Sequence, residues 1–496
     1  MKLNSNGTTG LIFNERLIFE LSVPGKEGVS LPETDVPETD VSSLLPEGMM
    51  REDLDGFPSI SEVEGVRHFT RLSQWNYGVD SGFYPLGSCT MKYNPKVNEE
   101  IAALPGFSGL HPYLPEESIQ GALRVMYELS SDLMEIGGME SISLQPAAGA
   151  HGELAGLLMI RKYLESKGEK RHKVIIPDSA HGTNPATSAL CGFEVIQIKS
   201  GPDGLLDPDE LLRVMTEDVA ALMVTNPNTL GLFEKNISRI SEIVHRKGGF
   251  VYCDGANLNA LMGISRPGDM GVDLLHYNLH KTFSTPHGGG GPGAGPIGVI
   301  KELAAFLPGP VIKKEGEVFK IIAAGEQSIG RLRTFYGNFG ILLRAYAYIR
   351  TMGPDGLKSA SETAVINANY IKESLKEEYH LPFEAPCMHE CVFSDKKQSA
   401  KKVTTLDIAK ALIDKGYHPP TTYFPLIVKG AIMIEPTETE SKGTIDYFVS
   451  AMKEIAEEAE RAPENFKKYP VKTKVSRLDE AKAAREPRLR WVKDDR

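Results

Sequence analysis

From about residue 117 onward, apolar runs of strand length alternate with stretches whose apolar residues recur every three or four positions. That alternation predicts a mostly parallel sheet with crossover helices. One unit is complete. Val219-Ala220-Ala221-Leu222-Met223-Val224 is a near-continuous apolar run, the pattern of a strand buried on both faces. Asn226-Pro227-Asn228 ends it, because proline cannot donate to a ladder. Ile237, Ile240, Ile243 and Val244 then form one helical stripe, and Gly248-Gly249 closes the helix. Phe250-Val251-Tyr252-Cys253 is the next strand, giving a β-α-β unit of expected right-handed crossover.

Three further strand ends share this form. Ile142-Ser143-Leu144 runs into Gln145 to Ala150 and a helix over Leu154 to Tyr163. Val174-Ile175-Ile176 runs into Pro177 to His181, and Leu274 to Leu279 into His280-Lys281. The expected organisation has three parts: an extended N-terminal arm and interface segment over 1–116, a large α/β domain over 117–354, and a smaller α+β domain with a charged tail over 355–496. The arm is Pro- and Gly-rich and lacks periodicity, as expected of an extended segment on a partner or of surface loops.

Composition narrows the classes. Against 55 Lys and Arg stand 66 Asp and Glu, a net charge of −11. An acidic balance disfavours nucleic acid, whose binding needs a basic surface. No apolar run is long enough to span a bilayer, and the segment Met1 to Gly7 lacks a signal-peptide core. A cytoplasmic location is the expectation. Cys89, Cys191, Cys253, Cys387 and Cys391 are an odd, sparse set, suited to a reducing compartment. Cys387 and Cys391 flank His389 without a second metal-spaced pair, so a strand with buried thiols is expected and no metal site. Cys89 has no base beside it in the sequence, and an inert thiol is expected.

In an open parallel sheet, ligands bind beyond the carboxyl ends of the strands. Gly149, His181, Asn226, Asp254 and Lys281 all fall at such ends. Lys281 closes an apolar run and follows His280, a setting that can hold an amine neutral enough to attack an aldehyde. The plain alternative is a solvated lysine. Asp254 ends a buried strand and needs a partner to stay ionised. A protonated pyridinium nitrogen is one such partner, and an ordinary ion pair is the alternative. Ala256 is small enough to let a ring lie flat against the backbone. Ala148-Gly149-Ala150 opens a helix after a strand and can receive a phosphate, or is simply a tight turn. His181 can stack on a ring or be an ordinary loop histidine. Asn226 can bond a ring hydroxyl or serve only as a turn residue. Arg331 and Arg333 can grip a carboxylate or lie on a solvated face. The glycine-rich run His287 to Gly295 does not open a helix after a strand, so it reads as a close-approach loop or lid and not as a dinucleotide site.

The combination of Asp254, a lysine 27 residues later after His280, and the Gly149 helix start resembles fold type I pyridoxal-phosphate enzymes. Longer segments are more specific. They are Leu17 to Ser22, Tyr84 to Pro95, Gln145 to Glu153, Asp178 to Ala186, Asn278 to Gly295, Ser328 to Arg333, and the tail Arg477 to Trp491. They resemble the P-protein family of the glycine cleavage system, in its bacterial two-subunit form. The resemblance implies pyridoxal 5'-phosphate on Lys281 and glycine as substrate. It implies loss of CO₂ and transfer of an aminomethyl group to the lipoyl arm of H-protein. It also implies an α2β2 assembly with a homologous subunit 1, the N-terminal arm serving as an interface. The rivals are another fold type I enzyme, such as an amino-acid decarboxylase or carbon–sulfur lyase, and a non-catalytic assembly subunit.

Overall fold

The structure is a computed structural model, and it describes residues 15–51, 54, 56–288 and 293–492. Its centre is a seven-stranded sheet. The strands are β1 (Ser141–Ser143), β2 (Lys173–Pro177), β3 (Glu194–Ile198), β4 (Val219–Thr225), β5 (Phe250–Gly255), β6 (Leu274–Tyr277) and β7 (Ile297–Val299). Their spatial order is β1-β7-β6-β5-β4-β2-β3. The pairs from β3 through β6 are parallel, and β7 runs antiparallel to both of its neighbours.

The apolar run in β4 explains why this sheet is sandwiched. Leu222 and Val224 point into one core with Val251, Ile240 and Val244. Ala221 and Met223 point into the other with Leu157, Ile160 and Tyr252. Each fully buried side chain of this size contributes roughly 1.5–3 kcal/mol. The helix Gly149–Ser166 packs so closely that a β-carbon on Gly156 would lie 2.4 Å from the Tyr252 ring. Two strands, β8 (Val311–Glu315) and β9 (Val318–Ile322), form a separate antiparallel hairpin.

The helix Phe339–Leu375 crosses the expected boundary at 354, where Gly353 leaves helical backbone at φ 62° ahead of Pro354. Beyond it lies a second core. An antiparallel sheet of β10 (Cys391–Ser394), β11 (Thr421–Thr422) and β12 (Ala431–Ile434) packs Phe393, Ile432 and Ile434 against Phe448 and Ile455. The helix Thr405–Asp414 starts with a reciprocal cap between Thr404 and Asp407. Asp407 also holds Arg477 of the tail at 2.6 Å. The tail continues to Trp491, which stacks on Phe19 at 5.0 Å.

The N-terminal stretch is neither wholly an arm nor wholly loops. Residues from 15 to 59 lie mostly exposed. The helix Glu62–Ser73 follows, capped by Ser61 and Glu64. Residues 83–92 then insert between the two cores: Leu86 bridges to Ile434, and Lys92 donates to the Thr282 carbonyl at 2.9 Å.

Candidate active site at the strand ends

The carboxyl ends of β2, β4, β5 and β6 open onto a cavity of about 160 Å³. Lys281 lines it from the single helical turn Leu279–Thr282, which follows β6 immediately. Asp254 lines it from the end of β5 and is buried. Its Oδ1 accepts the Ala256 N–H at 2.9 Å and lies 3.2 Å from His276 Nε2, and its Oδ2 accepts from Asn184 at 3.3 Å. His276 is fixed in turn by the Tyr252 hydroxyl, 2.7 Å from its Nδ1. Burial alone would raise the Asp254 carboxyl. His276, the positive Lys281 and the Ala256 N–H outweigh that and hold it below the usual carboxylate range. The carboxylate is therefore a buried anion in the cavity that also holds a primary amine.

Gly149 and Ala150 form the opposite wall. Ala148 is extended and caps the helix Gly149–Ser166 without a side-chain bond, so the first N–H groups are open to an anion. A β-carbon on Gly149 would sit 2.5 Å from Asn278 Oδ1 and 3.0 Å from His276 Nε2, so only glycine fits. Gly295 packs against the same turn, where a β-carbon would meet the Ala148 carbonyl at 2.1 Å.

His181 lines the cavity from an exposed loop, its Nδ1 2.9 Å from the Thr183 hydroxyl. His280 also lines it, with its ring edge-on to His287 at 5.0 Å. Burial, the first cause for each, takes His280 down to about 3 and His287 to about 4, so both rings are neutral. Several buried polar atoms here lack a partner: Thr225 Oγ1, Asn278 Oδ1, His280 Nδ1 and Glu153 Oε2. Unpaired buried groups of this kind point to a polar ligand.

Asn226 is not among the lining residues. Its Oδ1 accepts the Glu234 N–H at 3.0 Å, and its amide lies against the Met270 sulfur. The proline that ends β4 turns this side chain toward its own loop. Thr225 occupies the cavity wall in its place. Arg331 is exposed, and Arg333 lies near His151, whose pKa falls through burial and that charge. Neither arginine lines the cavity. The expected lid is His287 to Gly295, of which 289–292 lie outside the described residues. Cys387 and Cys391 are buried and free, and burial pushes Cys387 up to about 12.

The sequence reading missed His276, because a histidine inside an apolar strand gives no periodic signal. Its place two residues before Asn278 on the strand that leads to Lys281 was the available clue. It also missed Asn184, and Ser88, which reaches the cavity from the N-terminal segment.

Comparison with known proteins agrees with this geometry. Residues 152–290 match the aminotransferase class-V family, and residues 360–477 match the C-terminal domain of glycine dehydrogenase. A probable glycine dehydrogenase (decarboxylating) subunit 2 from Alkaliphilus oremlandii is 56% identical over 97% of this chain and 99% of its own length. One from Caldanaerobacter subterraneus subsp. tengcongensis is 58% identical over 96% and 99%. Among solved structures, a glycine decarboxylase (P-protein) in inhibitor-bound form superposes with a TM-score of 0.71 at 20% identity, covering 84% of this chain and 94% of that one. A rice TDC solved with PLP and tryptamine gives 0.63 at 13%, covering 84% and 92%. These structures share the fold type I architecture, and the full-length identity places the chain in the glycine dehydrogenase (decarboxylating) subunit 2 family.

Proposed function

We propose that this chain is the pyridoxal-phosphate-binding subunit of a glycine-decarboxylating system. It would take glycine, release CO₂ and pass the aminomethyl group to the lipoyl arm of H-protein. The observation that carries the reading is Asp254, ionised by His276 at the bottom of a cavity that also holds Lys281.

The residues present fit the cofactor. Lys281 would bind its aldehyde carbon, and Asp254 would hold a proton on its ring nitrogen. The open N–H groups after Ala148 would take its phosphate. Ala256 and His181 would flank the ring, and His280, Thr225 and Asn278 offer unpaired atoms to its polar edge. The bound group supplies an electron sink for the pair released with CO₂. Everything else falls to the chain. His276 keeps the buried Asp254 charged through the cycle.

The arm supports a further element of the proposal, assembly with a homologous subunit 1 in an α2β2 complex. Val29, Leu31 and Phe57 on the arm are 74%, 83% and 75% exposed. Val63, Val66 and Phe69 line one side of the helix Glu62–Ser73 and are also exposed. Apolar surface this extensive is characteristic of an interface.

The deciding experiment is borohydride reduction of the yellow protein followed by peptide mapping. The label is expected on Lys281, and a label elsewhere would sink the reading. Glycine–bicarbonate exchange measured with and without lipoylated H-protein then separates glycine cleavage from a simple amino-acid decarboxylase.

A further inference from the structure

Three fully buried ionisable side chains of the small domain connect to the catalytic cavity through Ser88, a lining residue whose N–H binds Glu390, and the function above uses none of them. Glu390 directly precedes β10 and Glu435 directly follows β12. The register pairs Cys391 with Ile434, so these glutamates are cross-strand neighbours at the same sheet end. One oxygen of each, together with a His389 ring nitrogen, lies within 4.8 Å of the others. All three side chains have zero exposure.

Their hydrogen bonds are unequal. Glu435 accepts the Thr90 N–H at 2.9 Å, the Thr90 hydroxyl at 2.6 Å and the Asn259 amide at 3.3 Å. Glu390 accepts the Ser88 N–H at 2.8 Å through Oε2, while its Oε1 has no partner. Both ring nitrogens of His389 are unpartnered too, with Nε2 3.7 Å from that free oxygen. The ionisable groups facing the pair are Lys281, Cys89, Cys387, Cys391 and His389. Burial takes His389 down to about 3 and raises the Cys89, Cys387 and Cys391 thiols, so all four are neutral. Lys281 is the one cation among them.

Two buried carboxyls this close cannot both ionise cheaply. Three donated hydrogen bonds mark Glu435 as the anion, and the bare Oε1 marks Glu390 as the carrier of the proton. We propose that Glu390 and Glu435 share one proton and together carry one negative charge, a counter-charge that the small domain presents to the Lys281 nitrogen. Asp254 then serves the distal end of the bound ring while this pair serves the proximal nitrogen, as positioning residues. The inference rests on the cofactor reading for its role, though the shared proton itself does not.

The test has two arms. In apoprotein carrying ¹³C-labelled glutamate, infrared spectra at about pH 8 should show a protonated carboxyl. Glu234 and Glu440, raised to about 7, are largely ionised there. That band should vanish in Glu390→Gln and equally in Glu435→Gln, because burial alone then opposes ionisation of the remaining carboxyl, with the repulsion gone and Lys281 still favouring the anion. Persistence of the band in either variant means a lone buried acid and overturns the sharing. Stoichiometric divalent metal in the purified protein would overturn it as well, since a cation would ionise both carboxyls.

The second arm titrates the chromophore of the holoenzyme. One remaining carboxyl preserves the charge, so each single variant should move the colour transition little. Glu390→Gln/Glu435→Gln removes the charge and should lower the transition by about one unit or more. Equal shifts in single and double variants would refute the counter-charge. If the double variant does not fold, a full-sized shift in either single variant refutes it, and an unmoved transition in both upholds it. Absence of any chromophore in the wild type would refute the cofactor reading and leave the infrared arm to decide the proton.

Discussion

Asp254 belongs to a large-domain wall of buried groups that lines the Lys281 cavity, the Glu390–Glu435 pair to a small-domain wall outside that lining, and their surroundings drive them in opposite directions. Asp254 receives a histidine, a backbone N–H and an asparagine, and stays ionised below its ordinary range. Glu390 and Glu435 meet each other, and burial pushes both upward, Glu390 furthest. Burial is common to both walls. The partner decides whether a carboxyl in a dry site is a fixed charge or holds a proton.

The largest effect tests the first wall. Asp254→Asn keeps the shape but removes the charge, and exchange activity should fall about 100-fold or more. An activity within a few-fold of wild type would mean that the carboxylate does not support the ring. Next is His276→Phe, which removes the imidazole partner while Asp254 remains. On the acid limb activity should drop about tenfold for a rise of one pKa unit, while at neutral pH a carboxyl held so far below its usual range stays ionised. The sign follows from the shift: without His276 the Asp254 pKa rises, so the acid limb of the pH profile should move to higher pH. An unmoved limb would show that His276 is only packing.

Smaller still is Gly149→Ala. The added carbon meets Asn278 and His276, so cofactor affinity should weaken about tenfold, measured by equilibrium titration of apoprotein. Unchanged affinity would take the helix start out of the site. The mildest effect comes from a carboxyl on neither wall. Burial raises Glu234 to about 7, against bonds from Leu206 N–H and Asn228. The native state holds its proton up to about pH 7 and the unfolded state releases it near the ordinary value of 4.5. Stability should therefore decline as pH rises through that interval and level off above it. Glu234→Gln should flatten that slope in urea melts, and an unchanged slope would show that native Glu234 is already ionised across that interval.

Legibility differed between the walls for a physical reason. Asp254 and Lys281 end strands whose apolar runs are continuous, so a polar residue there stands out. Gly149 stands out likewise, at a strand-to-helix turn. Asn226 gave the same signal, yet Pro227 committed it to its own turn, and the adjacent Thr225 took the wall. Ser88 was legible only as part of a polar loop, since nothing local says that residues 83–92 insert between two cores.

Two things follow from the sequence alone. The near-unbroken apolar runs require a sheet covered on both faces, and the strand ends must then hold the chemistry, because period and burial are local properties of a segment. Tertiary structure alone decided that Glu390 and Glu435, 45 residues apart, would lie side by side. It also decided that they would do so near Lys281. Proton sharing depends on a distance of a few ångströms in a medium without water, and chain order carries no record of either.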